Sequence, residues 1–176
     1  MKKIIILTLC LILVLGIVIY AKFFIFTYPK LGMEIKSVFE NNAEIPAKYT
    51  CDRENISFPL KIENISENAK TLVLIMDDPD APSKVWTHGV LFNIPVTGSE
   101  IEIKEGESIG EKGINDFGKL NYGGPCPPSG THRYFIKVYA LNKELDLKQG
   151  ATKEQVESAM KNYVIDSAKL IGLYSR

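Results

Sequence analysis

The order of apolar and polar positions divides the chain into an uninterrupted apolar head and a body of short alternating runs. After Met1-Lys2-Lys3, residues Ile4 to Ala21 carry no charge, and beyond Lys22 the run resumes as Phe23-Phe24-Ile25-Phe26. At a helical rise of about 1.5 Å per residue, this head is long enough to cross a hydrocarbon layer. It predicts an uncleaved transmembrane helix in residues 1–30, with a long signal peptide ending near Ile19-Tyr20-Ala21 as the alternative. Cys10 follows Leu7-Thr8-Leu9, without the small residue that lipid attachment would place before it. Lys2, Lys3 and the amino terminus predict a cytoplasmic short end, which makes residues 31–176 an extracytoplasmic domain on a single-pass membrane protein. Lys22 and Lys30 pull against that orientation.

In the body, Ile35 to Phe39 reads as a short strand, broken by Asn41-Asn42 and Pro46. Phe58, Leu60 and Ile62 alternate as a second. Leu72-Val73-Leu74-Ile75-Met76 is apolar without a break, as expected of a strand buried on both faces, and stops at Asp77-Asp78-Pro79-Asp80-Ala81-Pro82. Period two places His88, Val90, Phe92 and Ile94 on one face of Val85 to Pro95. It likewise aligns His132 and Tyr134 with Ile136 and Val138 in the strand that ends at Leu141. From Thr97 to Tyr122 the chain is polar and glycine-bearing, with one strand candidate at Glu100 to Lys104. Thr152 with Gln155 forms a capping box, and Val156, Met160, Tyr163, Val164 and Ile171 recur at helical spacing, predicting a late helix that Gly172 ends. Short strands with no crossover helices between them imply antiparallel pairing in an all-β sandwich with a C-terminal peripheral helix.

Charge narrows the partners. Removing Lys2, Lys3, Lys22 and Lys30 from the 21 basic residues leaves 17 against 21 acidic ones in residues 31–176, a net of −4. A mildly acidic domain without a basic run is a poor nucleic-acid binder. Cys51 and Cys126 are the cysteines of this domain and a possible disulfide outside the cytosol, although spacing alone leaves the pairing open.

The candidate chemistry gathers around two histidines and the loop Asn121 to Thr131, which holds three Gly and three Pro. Imidazole N–H, phenol O–H and backbone N–H groups of a glycine-rich loop are suitable donors to a phosphoryl oxygen. His88, His132, Tyr134 and the 123–124 loop supply these types, and Asp78 would orient an imidazole, with Asp80 as a turn former. A zinc or iron site is a rival use of two His and two Asp, but no close ligand pair supports it. Ser129 lacks the Gly-x-Ser-x-Gly surroundings of a nucleophile elbow.

Three motifs together, Asp78-Pro79-Asp80-Ala81-Pro82, Trp86-Thr87-His88 before Phe92-Asn93-Ile94-Pro95, and Gly123-Gly124-Pro125-Cys126-Pro127-Pro128-Ser129-Gly130-Thr131-His132-Arg133-Tyr134, resemble the phosphatidylethanolamine-binding protein family. The likeness is to its bacterial and archaeal, Raf-kinase-inhibitor-like branch, and runs from about Ile35 to Gly172-Leu173-Tyr174. It implies a two-sheet antiparallel β-sandwich with a small anion pocket for phosphate-like head groups. Carried over position by position, the pocket residues are Asp78, His88, His132 and Tyr134, with Asp80, Pro82, Trp86, Gly124 and Pro125 shaping it. The Ala81–Pro82 bond is similar to one the family holds in cis. The sequence departs from the branch at Cys51-Asp52-Arg53, Phe58-Pro59 and Ile62, and at Gly89, where the branch usually has Trp.

The expectation is therefore a membrane-tethered, non-enzymatic binding module for a small phosphorylated or anionic ligand, with no cofactor. The alternative is an inhibitor or regulator of a protein partner, such as an extracytoplasmic protease or a kinase. A hydrolase is a weaker third.

Overall fold

The computed structural model describes residues 13–17, 20, 32–120 and 122–176. Residues 13–17 and Tyr20 are helical, and no helix among the described residues is long and apolar enough to cross a membrane. The rest of the expected membrane helix lies outside the described residues.

From Gly32 onward the chain forms one compact unit. Its strands are β1 (Glu34–Lys36), β2 (Ala43–Glu44), β3 (Leu60–Glu63), β4 (Thr71–Asp78), β5 (Trp86–Pro95), β6 (Ile101–Ile103), β7 (Glu111–Lys112), β8 (Thr131–Leu141) and β9 (Val164–Ser175); helix α1 (Lys153–Met160) lies between the last two. One sheet has the order β1-β3-β6 and the other β2-β9-β8-β4-β5-β7. Every pairing is antiparallel except the short parallel contact of β2 with β9, which corrects the wholly antiparallel expectation.

The unbroken apolar run makes β4 a central strand of the larger sheet, buried at all eight positions. Alternation sends Leu72, Leu74 and Met76 into the core shared with Leu60 and Ile62 of the smaller sheet. Val73 and Ile75 go to the opposite face, where α1 covers them with Val156 and Met160. Each fully buried side chain of this size contributes about 1.5–3 kcal/mol. The capping box is formed: the Gln155 N–H donates to Thr152 Oγ1 at 3.3 Å, and the Thr152 N–H donates to Gln155 Oε1 at 2.9 Å.

The helix stops at Met160, and the segment read as its continuation is strand β9, paired along its length with β8. In place of helical spacing, Ala168, Leu170, Gly172 and Tyr174 alternate with more exposed neighbours and face the two-sheet core. Gly172 is accordingly no helix terminator. A Cβ there would collide with Ile45, so glycine lets Ile45 and Phe39 pack against the β9 backbone.

Two irregularities also break the expected stripe on β5. The ladder pairs Asp77 with Thr87 and Met76 with Gly89, which leaves His88 as an extra residue, and a second shift falls between Leu72 and Leu74. Val90 and Phe92 therefore face α1, whereas Ile94 lies in the two-sheet core.

Candidate functional site

The three carboxylates that end β4 and follow it each take different partners. Asp77 is 1% exposed and receives Lys137 Nζ at 2.7 Å and Lys153 Nζ at 2.9 Å, which ties α1 to the outer face of the sheet. Asp78 is buried; its Oδ1 accepts the Asp80 N–H at 2.8 Å, and its Oδ2 meets His132 Nδ1 at 2.7 Å. Asp80 is forked by Arg133, with Nε to Oδ2 at 2.9 Å and Nη2 to Oδ1 at 2.7 Å, while the Arg133 N–H also donates to Oδ2 at 2.9 Å. The guanidinium holds the Asp80 carboxyl down at about 2. Both Asp80 oxygens are thus engaged by Arg133 at the surface, which makes Asp80 the clasp between the 79–80 turn and β8.

His88 owes its position to the β5 bulge. Its ring packs edge-to-face on Tyr134, centroids 5.1 Å apart, and its Nδ1 lies 2.6 Å from the Gly123 carbonyl oxygen. The Gly123 N–H donates back to the His88 carbonyl at 2.9 Å, so imidazole and loop fix each other. A carbonyl can only accept, hence Nδ1 carries the proton and Nε2 presents a lone pair in the neutral ring. Burial pushes the His88 pKa down and favours that neutral form, against the smaller upward pull of the Gly123 carbonyl and the Asp78 charge. By the same logic His132 spends Nδ1–H on Asp78 and leaves Nε2 for other partners.

Tyr134 is fully buried, and its hydroxyl has no hydrogen-bond partner of full geometry among the described residues, although the Cys126 backbone amide acts on it from nearby. Burial, seconded by the Asp78 charge, pushes its pKa far up, so the phenol keeps its proton as a donor. The Trp86 indole N–H is, among the described residues, a second buried donor without a partner. Trp86 stands opposite Asp78 in the β4–β5 ladder.

The glycine loop acts differently from expectation. The Gly123 N–H is spent on His88, and the Gly124 N–H donates to Asn55 Oδ1 at 2.8 Å, so neither amide is free for a ligand. The Pro125 carbonyl accepts the Cys51 N–H at 3.1 Å, and Tyr122 Oη donates to the Tyr49 carbonyl at 2.8 Å. Cys51 and Cys126 are joined in a disulfide across 75 residues. Through Gly123 the loop positions His88, and both glycine amides are engaged within the protein. Glycine is required at both positions, since a Cβ at Gly123 would strike the Phe117 ring and one at Gly124 would strike Asn55 and the Tyr49 carbonyl.

Phe117 was not anticipated. It lies in the polar, glycine-bearing segment from Thr97 to Tyr122, yet its ring packs edge-to-face on both His88, at 5.4 Å, and Trp86, at 5.5 Å. The aromatic residue within Asn115-Asp116-Phe117-Gly118 was the available signal, because a turn needs no ring of that size. Pro82 is exposed on a bend, and no peptide bond among the described residues is cis, so Ala81–Pro82 is trans. The isomers of an X-Pro bond differ by only about 0.5–1 kcal/mol, and the exposed bend around Pro82 offers no buried packing to select cis. No group of three or more His, Cys, Asp or Glu among the described residues is placed to hold a metal ion.

The model of the family described as phosphatidylethanolamine-binding protein matches residues 35–175. The chain belongs to the phosphatidylethanolamine-binding protein family. Among members of this family and their relatives, a UPF0098 protein of Methanothermobacter thermautotrophicus is 53% identical over 150 residues, covering 82% of this chain and 99% of its own length. The UPF0098 protein PH1269 of Pyrococcus horikoshii is 48% identical over 158 residues, covering 84% of this chain and 78% of its own. The crystal structure of the Chlamydia trachomatis protein CT736, described as a phosphatidylethanolamine-binding protein homologue, aligns with TM-score 0.77 and 37% identity, over 82% of this chain and 98% of that one. The Escherichia coli protein YbcL shares the fold at TM-score 0.75 and 24% identity, over 83% of this chain and 99% of its own. A mostly-β, two-sheet architecture with a small helix is therefore the fold of the family as well as of this chain.

Proposed function

We propose that the chain is a binding module for a phosphate ester, held between Tyr134, His88 and His132 at the end of the larger sheet. The observation that carries this reading is the fully buried Tyr134 hydroxyl without a partner, next to an imidazole whose Nδ1 is already spent. Buried polar groups left unsatisfied are uncommon and costly, and a ligand oxygen is the natural complement to a phenol donor. The Nε2 lone pair of neutral His88 adds a requirement, because it accepts a proton and repels a bare oxyanion. A phosphate oxygen that still carries its proton satisfies it, so the preferred form is the singly protonated ester. The name of the family supports a phospholipid head group as the source of that ester. Tethering of residues 31–176 to a membrane by the apolar head is part of the same proposal and rests on the sequence alone.

Titration of the full-length protein with phosphoethanolamine, followed by imidazole NMR signals, tests the reading. Saturable shifts of both histidines, weaker in Tyr134→Phe, are the expected result. Failure of either ring to respond at millimolar ligand would remove the proposal.

A further inference from the structure

An apolar cavity among the described residues is lined by neither histidine. It has a volume of about 50 Å³ and sits between the two sheets, where Leu74, Met76 and Ile136 form its floor and Phe58 and Tyr122 its walls. Gly89 borders it, and a Cβ built on Gly89 would meet nothing within 4 Å. Because the bulge supplies His88 as an extra residue, Gly89 follows it on the core side opposite Met76, at the point where a side chain would have filled the space. Ser57, Glu107 and Ser108 line the outer end, the last two exposed, so the apolar chamber has a polar mouth. Three of the bordering positions adjoin the site described above: Gly89 follows His88, Tyr122 precedes Gly123, and Ile136 shares a face with Tyr134.

We infer that this cavity is a second binding site, specific for a short alkyl group. The lining excludes ions and well-hydrated ligands, since a buried polar group would find no hydrogen-bond partner there. Its volume is about a third of the roughly 150 Å³ of an engineered apolar cavity that takes benzene, so a chain of few carbons fits and a ring does not. The polar mouth suits a ligand whose other end is hydroxylated or charged. The inference stands independently of the phosphate site, because it uses neither histidine and needs no anion.

The test uses the full-length protein with its methionine methyls isotope-labelled and the series ethanol, 1-propanol, 1-butanol and 1-hexanol as probes. The Met76 methyl signal shifts saturably, affinity rises about fourfold for each added methylene while the chain still fits, and the rise then stops within the series. Gly89→Val, which fills the chamber at a position with ordinary backbone angles, abolishes the Met76 response while the far-ultraviolet spectrum stays unchanged; Gly89→Ala weakens it. A wild-type response that does not saturate, or that climbs through 1-hexanol without a break, overturns the inference whatever the variants do. An equal response in a folded Gly89→Val protein overturns it as well.

Discussion

Replacing Tyr134 by Phe should make the protein more stable and a poorer binder at once. The Tyr134 ring is fully buried and packed against His88, and Phe preserves those contacts and removes only the oxygen. In the unliganded fold that oxygen has given up its water without gaining a partner among the described residues. Leaving such a group unpaired costs about 1–3 kcal/mol, so its removal should return a stabilisation of that order. For a domain of this size each kcal/mol moves Tm by about 2–4 °C, which places the expected rise between about 2 and 12 °C. Phosphoethanolamine binding should move the other way. A hydrogen bond to a charged group is worth about 1.5–3 kcal/mol, equivalent to an affinity loss of about tenfold to 150-fold. Thermal denaturation and calorimetric titration of the two proteins side by side provide both readings. A Tyr134→Phe protein that unfolds more easily than the parent would show that the hydroxyl is already satisfied in the free protein and would refute the reasoning.

Other expectations concern charge and cross-linking. The His88 pKa is depressed in the fold, so the unfolded chain takes up the proton first; its contribution to stability is intact above the ordinary value near 6.5 and declines as pH falls through that value toward the folded one. Urea midpoints at pH 7.5 and 5 should therefore differ more in the parent than in His88→Asn. Asp77→Ala strands two ammonium groups and should destabilise by about 3–5 kcal/mol in a urea melt. Asp80→Asn, which loosens a surface pair, should leave phosphoethanolamine affinity unchanged in the same titration that Asp78→Asn abolishes. Cys51→Ser with Cys126→Ser should cost about 4–5 kcal/mol on the chain-entropy account of a 75-residue closure, read from urea midpoints.

What the sequence revealed, and what it concealed, follows the range of the interactions involved. The β4 run and the β8 alternation were readable because burial on one or both faces leaves a local record in residue type. The capping box was readable for the same reason, since both partners lie within three residues. Strand β9 was not, because Val156, Met160, Tyr163 and Val164 happen to fit a helical period, while its strand state is imposed by β8, which lies on the far side of a connection that holds α1. In the candidate site, the motifs pointed to Asp78, His88, His132 and Tyr134, which the structure places at one end of the larger sheet. The fate of each donor was hidden: the Gly124 amide goes to Asn55, 69 positions earlier, and Asp80 goes to Arg133, 53 positions later. Nothing in a loop's composition reports which distant group consumes its hydrogen bonds.

The surplus residue in β5 separates architecture from capacity. Without His88, Thr87 and Gly89 would stand as consecutive rungs opposite Asp77 and Met76, and the ladder would run straight through. The imidazole enters the interior because one rung is irregular, while the rungs on either side of it pair as neighbours in the ladder. Closing that one rung would therefore withdraw the ring from Tyr134 and the Gly123 carbonyl while leaving the strand order unchanged.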